Sequence, residues 1–598
     1  MPDPSFIDRM LARLGTGLDS TFSWDRLPLP LSLLSLVGLR DALRESNLYD
    51  SYEGSPPAAP DHSPADYLAI RTIDGSYNDL DAPSMGMADT RFGRNVPLSA
   101  SRAEEPPELL DPNPRLVSRE LLVRHEFKPA ATLNVLAAAW LQFQTRDWFS
   151  HGTDPSRSIE VPPVSGAGDG WEQETMQVPR TPVDTTATGN ETAQTFLNTE
   201  THWWDGSQIY GSTHEFQEAV RTGHEGKVRV GDDGLIDLDP ALLGKAGGAD
   251  GWWLGLELMS TVFMREHNAI CDRLREGYPT WDDDALFAKA RLVNAALMAK
   301  IHTVEWTPAI LGHPALQIGM RANWFGLAGQ RVHDLFGRLS GDELVSGIPG
   351  SPTAHHSAPY SITEDFVAVY RMHPLIPDDY AFHDIGGDQV EHQEFEAVHG
   401  PHSHEFLQRT PASRALYSLG IANPGAVTLH NHPKFMHRFG RTDGIPLDLA
   451  AVDILRSRER GVPRYNEFRR FLRMHPARSF DDISAGDPAT AKQLADVYGG
   501  DLEKVDVTVG MFGEKLPAGF GFSDTAFRIF ILMASRRLKS DRFYTVDFTP
   551  RVYTPEGMAW LEANDMCAVL LRHYPDLAPV LRHQRNAFAP WPTLTAGH

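Results

Sequence analysis

Tyr370 and His373 stand three residues apart in the run Tyr370-Arg371-Met372-His373-Pro374. On a helix, side chains three apart share a face. A helix over Asp365–His373 therefore points both into one space, and Pro374 ends it just after the histidine. A histidine that ligates a haem iron from one side would hold such a phenol at the porphyrin edge. An oxidised porphyrin can draw an electron and a proton from it there. The same spacing suits an ordinary core pair, and taken alone it does not choose between the two.

A second run, Thr201-His202-Trp203-Trp204-Asp205-Gly206-Ser207, repeats oxygen-bearing side chains at Thr201, Asp205 and Ser207. In an extended loop alternate residues face the same way. These three, with the Trp203 carbonyl, can converge on a hard cation. Calcium takes about six to eight oxygens and accepts irregular loops. One more carboxylate would complete the set, and Asp147 in Gln142-Phe143-Gln144-Thr145-Arg146-Asp147-Trp148 is the candidate. A turn whose hydroxyls cap a neighbouring helix is the alternative. Gln142 and Arg146, four apart, share one face of their helix. Two further runs, His302 to Thr307 (HTVEWT) and Ser535-Arg536-Arg537-Leu538, offer a cation and hydrogen-bond donors. A fatty-acid carboxylate in an apolar tunnel needs both, because a buried unpaired charge is costly.

Helical patterning positions these residues. Apolar side chains recur at spacings of three and four over Ala130–Phe149, Leu254–Arg275, Trp281–Leu311, Tyr465–Met474 and Asp524–Leu538. Strand-like alternation is rare and short. Loops rich in Gly, Pro, Ser and Asp cover 51–66, 76–116, 152–190 and 341–360. The 598 residues alone would allow about four domains. With no flexible linker or repeat, the reading is a mainly α chain: an N-terminal arm with an apolar helix over 1–65 and one large helical domain over 66–598. The apolar run Leu27–Leu39, flanked by Arg26 and Arg40, is too short to span a bilayer. It reads as a buried helix or as an apolar flap at the mouth of a lipid pocket.

The formal charge of −24 argues against nucleic acid and against anionic membranes. Two cysteines, Cys271 and Cys567, exclude a disulfide framework and a Cys-rich metal site while leaving one bridge open. Two buried free thiols in a reducing compartment is the simpler reading. The start, Met1-Pro2-Asp3-Pro4, lacks the basic and apolar regions of a signal peptide, which points to the cytoplasm.

Together the motifs resemble the animal-type haem peroxidase and cyclooxygenase superfamily, and most of all its fatty-acid α-dioxygenase branch. Further matching runs are Arg71-Thr72-Ile73-Asp74-Gly75, Thr90 to Pro97 (TRFGRNVP), Arg265-Glu266-His267-Asn268, Arg456-Ser457-Arg458-Glu459-Arg460, Pro463 to Arg469 (PRYNEFR) and Ala534 to Phe543 (ASRRLKSDRF), over nearly the whole chain. The resemblance implies a cyclooxygenase-like helical fold, haem b and calcium. It implies His373 as the proximal haem ligand, Asn466 as its hydrogen-bond partner and Arg469 as a propionate contact. By the same resemblance Tyr370 is the radical residue, and Asp147, Thr201, Trp203, Asp205 and Ser207 hold calcium. His302, Thr307 and Arg537 clamp a long-chain fatty acid. O₂ then adds at C2 to give a 2-hydroperoxy acid, and a monomer suffices.

One position departs from that pattern. Where the family carries a distal histidine immediately before the calcium aspartate, this chain has Arg146 before Asp147, and His151 lies over a turn away. A distal histidine relays a proton, whereas arginine stays protonated. A haem peroxidase, a dioxygenase acting at an internal carbon, and a haem or lipid carrier without catalysis are the alternatives.

Overall fold

The helices that carry or cover these residues are α1 (Leu29–Ser46), α2 (Val135–Trp148), α3 (Leu254–Gly277), α4 (Asp283–Ile301), α5 (Pro314–Phe325), α6 (Gln330–Phe336), α7 (Glu364–Val369), α8 (Leu449–Glu459), α9 (Tyr465–Phe471) and α10 (Asp524–Ser540) in a computed structural model of the chain. It describes residues 23–164, 174–189, 191–237, 251–440 and 444–594; the first third of the arm lies outside them. Side-chain caps fix several starts. Asp282 accepts from the Ala285 N–H, Thr363 from Phe366, Asp448 from Ala451 and Ser523 from Ala526.

The strands among the described residues form three two-stranded antiparallel pairs: Thr90–Arg91 with Leu197–Asn198, Asp154–Val161 with Met176–Arg180, and Asp379–His383 with Gln389–Glu394. The fold is thus one large, mainly helical domain. Helix α3 packs against both α2 and α4, and the apolar side chains of all three are almost wholly buried. Trp24, Leu39 and Leu43 near the N-terminus lie in the same apolar cluster as Trp140, Trp306 and Tyr370. No described helix is long and apolar enough to cross a membrane.

Three expected helices differ in detail. The one expected from Ala130 starts at Val135, because Asn134 is extended and spends its amide on the Ala587 and Ala589 carbonyls. The one expected over Trp281–Leu311 is interrupted: after Ile301 the chain makes one wide π-helical turn, His302–Trp306, before resuming at Thr307–Ile310. The one expected over Asp365–His373 stops at Val369. Pro374 explains that stop, because its ring would clash with the Tyr370 carbonyl four residues back and disfavours helical geometry at His373. The Tyr370 carbonyl accepts from the Met372 N–H instead.

Trp24 packs its indole on His313, Phe520 and Phe527 and donates to Asp524 Oδ1 at 3.0 Å. Trp24→Ala should cost about 3–5 kcal/mol, read as a lower denaturant midpoint. An unchanged midpoint would show that the arm is not part of the core.

Candidate active site

Four of the singled-out side chains converge. Tyr370, His302, Thr307 and Arg537 line one narrow cavity together with Trp148, Trp204 and Phe366. Arg537 comes from the last turns of α10 and is buried. Its guanidinium carbon lies 4.1 Å from the Trp148 ring centre and 4.6 Å from that of Trp204. Two of its nitrogens, Nε and Nη2, have no hydrogen-bond partner among the described residues. A buried cation with unused N–H groups is an anion site in waiting.

The π-helical turn delivers His302. Its ring stacks on Trp306 at 4.5 Å and meets Trp204 and Trp148 edge-on. The Trp140 indole N–H donates to Nδ1 at 3.2 Å. Burial, helped by Arg537, pushes the His302 pKa far below its ordinary value, so the ring is neutral. With Nδ1 accepting, the proton sits on Nε2, which is then a donor. The Thr307 hydroxyl donates to the His302 carbonyl at 2.9 Å. Tyr370 packs on Phe366 at 4.4 Å and edge-on to Trp148 at 5.3 Å, and burial raises its pKa, so the phenol is protonated.

This cavity shares Met320, Asn323, Ala534 and Ser535 with a second one of about 320 Å³. The second runs between α1, α5 and α10 and is lined mainly by apolar side chains, among them Leu33, Leu36, Leu316 and Phe530. The Leu27–Leu39 run is thus both a helix and a wall of an apolar tunnel.

Because α7 ends early, Tyr370 and His373 do not share a helical face, as the spacing had suggested. Tyr370 turns into the aromatic cavity, and His373 turns the other way to place Nδ1 2.5 Å from Asp453 Oδ2 on α8. Arg371 also pairs with Asp453. Burial alone would raise that carboxyl, but His373 and Arg371 hold it well below the usual range. The His373 side chain is 38% exposed, so with Nδ1 held, Nε2 is available to a ligand. A carboxylate on the far nitrogen is the usual support of a metal-binding histidine. His432, buried with both ring nitrogens unpartnered, lies 5.7 Å away ring to ring.

Two expectations for this region are corrected. Asn466 does not support His373: it donates to the Ala477 carbonyl and to Glu503, and accepts from the Ala477 N–H. Arg469 is likewise committed elsewhere, to Glu514 at 2.8 Å and Thr525 at 2.7 Å. Both sit on α9, whose polar side chains bond to the exposed Glu503, the buried Glu514 and the His475 and Ala477 carbonyls. Asp453, which sequence reasoning missed, takes the place given to Asn466. Its signal was an acid inside the apolar run LAAVDIL.

On α2, Gln142 accepts from the Trp253 indole at 2.6 Å and donates to the Gly251 carbonyl at 3.1 Å. Arg146 lies 5.3 Å from the Trp252 ring centre, and burial, opposed by nearby Glu200, lowers its pKa to about 10. His151 is held by Glu364 at 2.9 Å and stacks on Phe92, with its pKa pushed by burial down to about 4.

Asp147 and the 201–207 loop also meet. Asp147 Oδ1 accepts from the Ser207 N–H at 2.6 Å and from its hydroxyl at 3.0 Å, while Oδ2 has no partner. Ser207 N–H also lies 3.2 Å from Asp205 Oδ1. Burial and neighbouring Asp205 push the Asp147 carboxyl up to about 8. The Trp203 indole donates to the Gly75 carbonyl. Two buried carboxylates with a spare oxygen suit a hard cation.

The animal haem peroxidase family model matches residues 70–588. The alpha-dioxygenase PIOX of Oryza sativa is 35% identical, covering 98% of this chain and 96% of that protein. The crystal structure of fatty acid alpha-dioxygenase from Arabidopsis thaliana matches with a TM-score of 0.91 at 35% identity, over 99% of this chain and 94% of the other. A tyrosine-to-phenylalanine variant of the rice enzyme with palmitic acid matches at 0.90 and 34%, over 98% of each chain.

Gly206, between Asp205 and Ser207, has φ +83°, and a Cβ there would lie 2.8 Å from the Tyr210 ring. Gly206→Ala should therefore cost about 1–3 kcal/mol, measured by denaturant unfolding. Wild-type stability would mean the loop is free to relax.

Proposed function

The chain belongs to the animal haem peroxidase family, in its alpha-dioxygenase branch, and from that premise we propose that it is a fatty-acid alpha-dioxygenase working through Tyr370. The observation that carries this is the buried Arg537 guanidinium, with free N–H groups, in one cavity with the Tyr370 phenol and at the end of an apolar tunnel.

The donor set fits a haem on His373, since Asp453 fixes Nδ1 and orients Nε2. When bound, the haem supplies the one-electron oxidation that, with loss of the phenolic proton, makes Tyr370 a neutral radical. The remaining chemistry rests on placement. The carboxylate of a long-chain fatty acid pairs with Arg537 and accepts from His302 Nε2–H, with Thr307 beside it. Its alkyl chain lies along the tunnel toward α1. The carbon next to the carboxylate then faces Tyr370. The tyrosyl oxygen takes one hydrogen atom from C2, O₂ adds to the carbon radical, and the peroxyl radical takes the hydrogen back. The product is a 2-hydroperoxy acid, and the radical is restored. The clamp needs no pH change, because His302 donates as a neutral ring.

Arg146 is not a base at neutral pH, since its pKa stays near 10. That disfavours turnover as a peroxidase. Asp147, Asp205, Ser207, Thr201 and the Trp203 carbonyl form the proposed calcium site. The two buried free thiols, Cys271 and Cys567, suit a reducing compartment such as the cytoplasm, and a monomer carries every group named here.

Tyr370→Phe should retain haem absorbance yet abolish O₂ uptake with palmitate; normal product from that variant would rule out the radical route. Arg537→Ala should lower kcat/KM for palmitate about 10- to 100-fold, as expected for a charge-assisted hydrogen bond. An unchanged value would remove Arg537 from the clamp.

Calcium binding should be pH-dependent in a set direction. Without a cation, the raised Asp147 pKa means the folded state keeps a proton the unfolded state has lost. Its contribution to stability therefore falls as pH rises from about 4 through about 8. Calcium replaces that proton, so chelation should lower Tm more at pH 8 than at pH 6. The shift should be about 2 °C at saturating calcium. An equal or reversed pH response would contradict the site.

A further inference from the structure

Two helical stripes that wall the tunnel turn polar at the same place. On α5, Leu316, Met320 and Asn323 line it at spacings of four and three, so they share one face. On α10, Phe527, Ile531 and Ser535 line it at spacings of four. An apolar stripe calls for an apolar side chain at the last position of each run. Each ends instead on a polar one, and Asn323 and Ser535 both line the clamp cavity as well. They therefore flank the passage where an alkyl chain leaves the clamp and enters the tunnel.

The bonds these two side chains make leave acceptors over. The Asn323 amide nitrogen reaches the Met320 sulfur at 3.7 Å, a weak acceptor, and its amide oxygen has no partner among the described residues. The Ser535 hydroxyl donates to the Ile531 carbonyl at 3.3 Å and accepts from Arg44 Nη2 at 3.0 Å. One lone pair of the hydroxyl remains. Glu343 anchors the Arg44 guanidinium at 2.8 Å, which keeps that donor in place.

Hydrogen-bonding capacity selects the group that fits. A methylene offers neither donor nor acceptor. A carboxylate only accepts, so it leaves the Asn323 oxygen and the Ser535 lone pair without a donor. A hydroxyl does both: it can donate to Asn323 or Ser535 and accept from the Asn323 amide. Polar groups left unpaired beside hydrocarbon are costly, which favours the ligand that pairs them. Resting on the fatty-acid reading above, we propose that the preferred substrate is a fatty acid with a hydroxyl on C3, bound by Asn323 and Ser535 in the passage between clamp and tunnel. C3 is the first carbon beyond the reacting one, and so the first to leave the clamp. The hydroxyl is not consumed. The hydrogen atom still leaves C2 and O₂ still adds there, so the product is a 2-hydroperoxy-3-hydroxy acid.

The test is equilibrium dialysis of haem-loaded Tyr370→Phe protein, which binds without turnover, against labelled palmitate, 16-hydroxypalmitate and each enantiomer of 3-hydroxypalmitate. One 3-hydroxy enantiomer should bind about tenfold more tightly than palmitate, as a buried hydrogen bond implies. 16-Hydroxypalmitate, with its hydroxyl at the far end of the same chain, should gain nothing. Adding Asn323→Leu should bring the ratio of the two affinities down to about one. Equal binding of all the acids with Asn323 intact overturns the inference, and that comparison does not depend on how the Asn323 variant folds. An equal gain from the 16-hydroxyl also overturns it, as does a ratio that Asn323→Leu leaves unchanged. Dialysis and O₂ uptake separate the two readings. Preference for 3-hydroxypalmitate in dialysis, with no O₂ uptake by wild type, overturns the proposed function alone. Oxygenation of palmitate by wild type, with equal binding of the acids, overturns this inference alone.

Discussion

A buried guanidinium with unused N–H groups is an unstable thing for a protein to hold, and the arrangement around Arg537 exists to hold one. Two indoles face its charge, which is favourable for a cation. The nearest histidine is kept neutral, so it adds no second positive charge. What remains unsatisfied is two donor groups on a side chain that lines a cavity walled in part by Trp148, Trp204, His302, Phe366 and Tyr370. A carboxylate completes that set, and the apolar tunnel behind it accepts what a carboxylate on a long chain brings along.

The clamp and the proposed cation site share two short stretches of chain. Trp148 follows Asp147, and Trp204 precedes Asp205. Asp205 lies close enough to raise the Asp147 pKa, and the two indoles lie 4.1 Å and 4.6 Å from the Arg537 guanidinium carbon. Further bonds tie these stretches together: the Trp204 indole donates to Gln144, and the Asn198 amide to the Trp148 carbonyl. A cation bound by Asp147 and Asp205 would thus be joined through one peptide bond each to the indoles beside Arg537. In this account the metal is a distant support for substrate placement and takes no part in the chemistry.

Much of this was legible in the sequence, for identifiable reasons. The helical class followed from apolar spacing, and the motifs His302–Thr307, Ser535–Leu538 and Thr201–Ser207 are local, so their residues were found as sets. What the sequence hid was geometry between elements. Tyr370 and His373 keep their spacing but not the shared face, because Pro374 acts four residues upstream through the Tyr370 carbonyl. The wide turn at His302 has no compositional mark. Asp453 was missed because it sits 80 residues from His373, and Asn466 and Arg469 were assigned by resemblance to partners that α9 does not reach. Arg146 was visible as a departure, and its surroundings, Trp252 and Glu200, came only from the fold.

The central claim is positional: Arg537 sets which carbon meets Tyr370. The most direct measurement follows palmitic acid carrying two deuterium atoms at C2 through turnover by the haem-loaded protein. The account predicts slowed O₂ uptake and a 2-hydroperoxy product that keeps one deuterium at C2. A product oxygenated at another carbon, with both deuterium atoms retained, would contradict it.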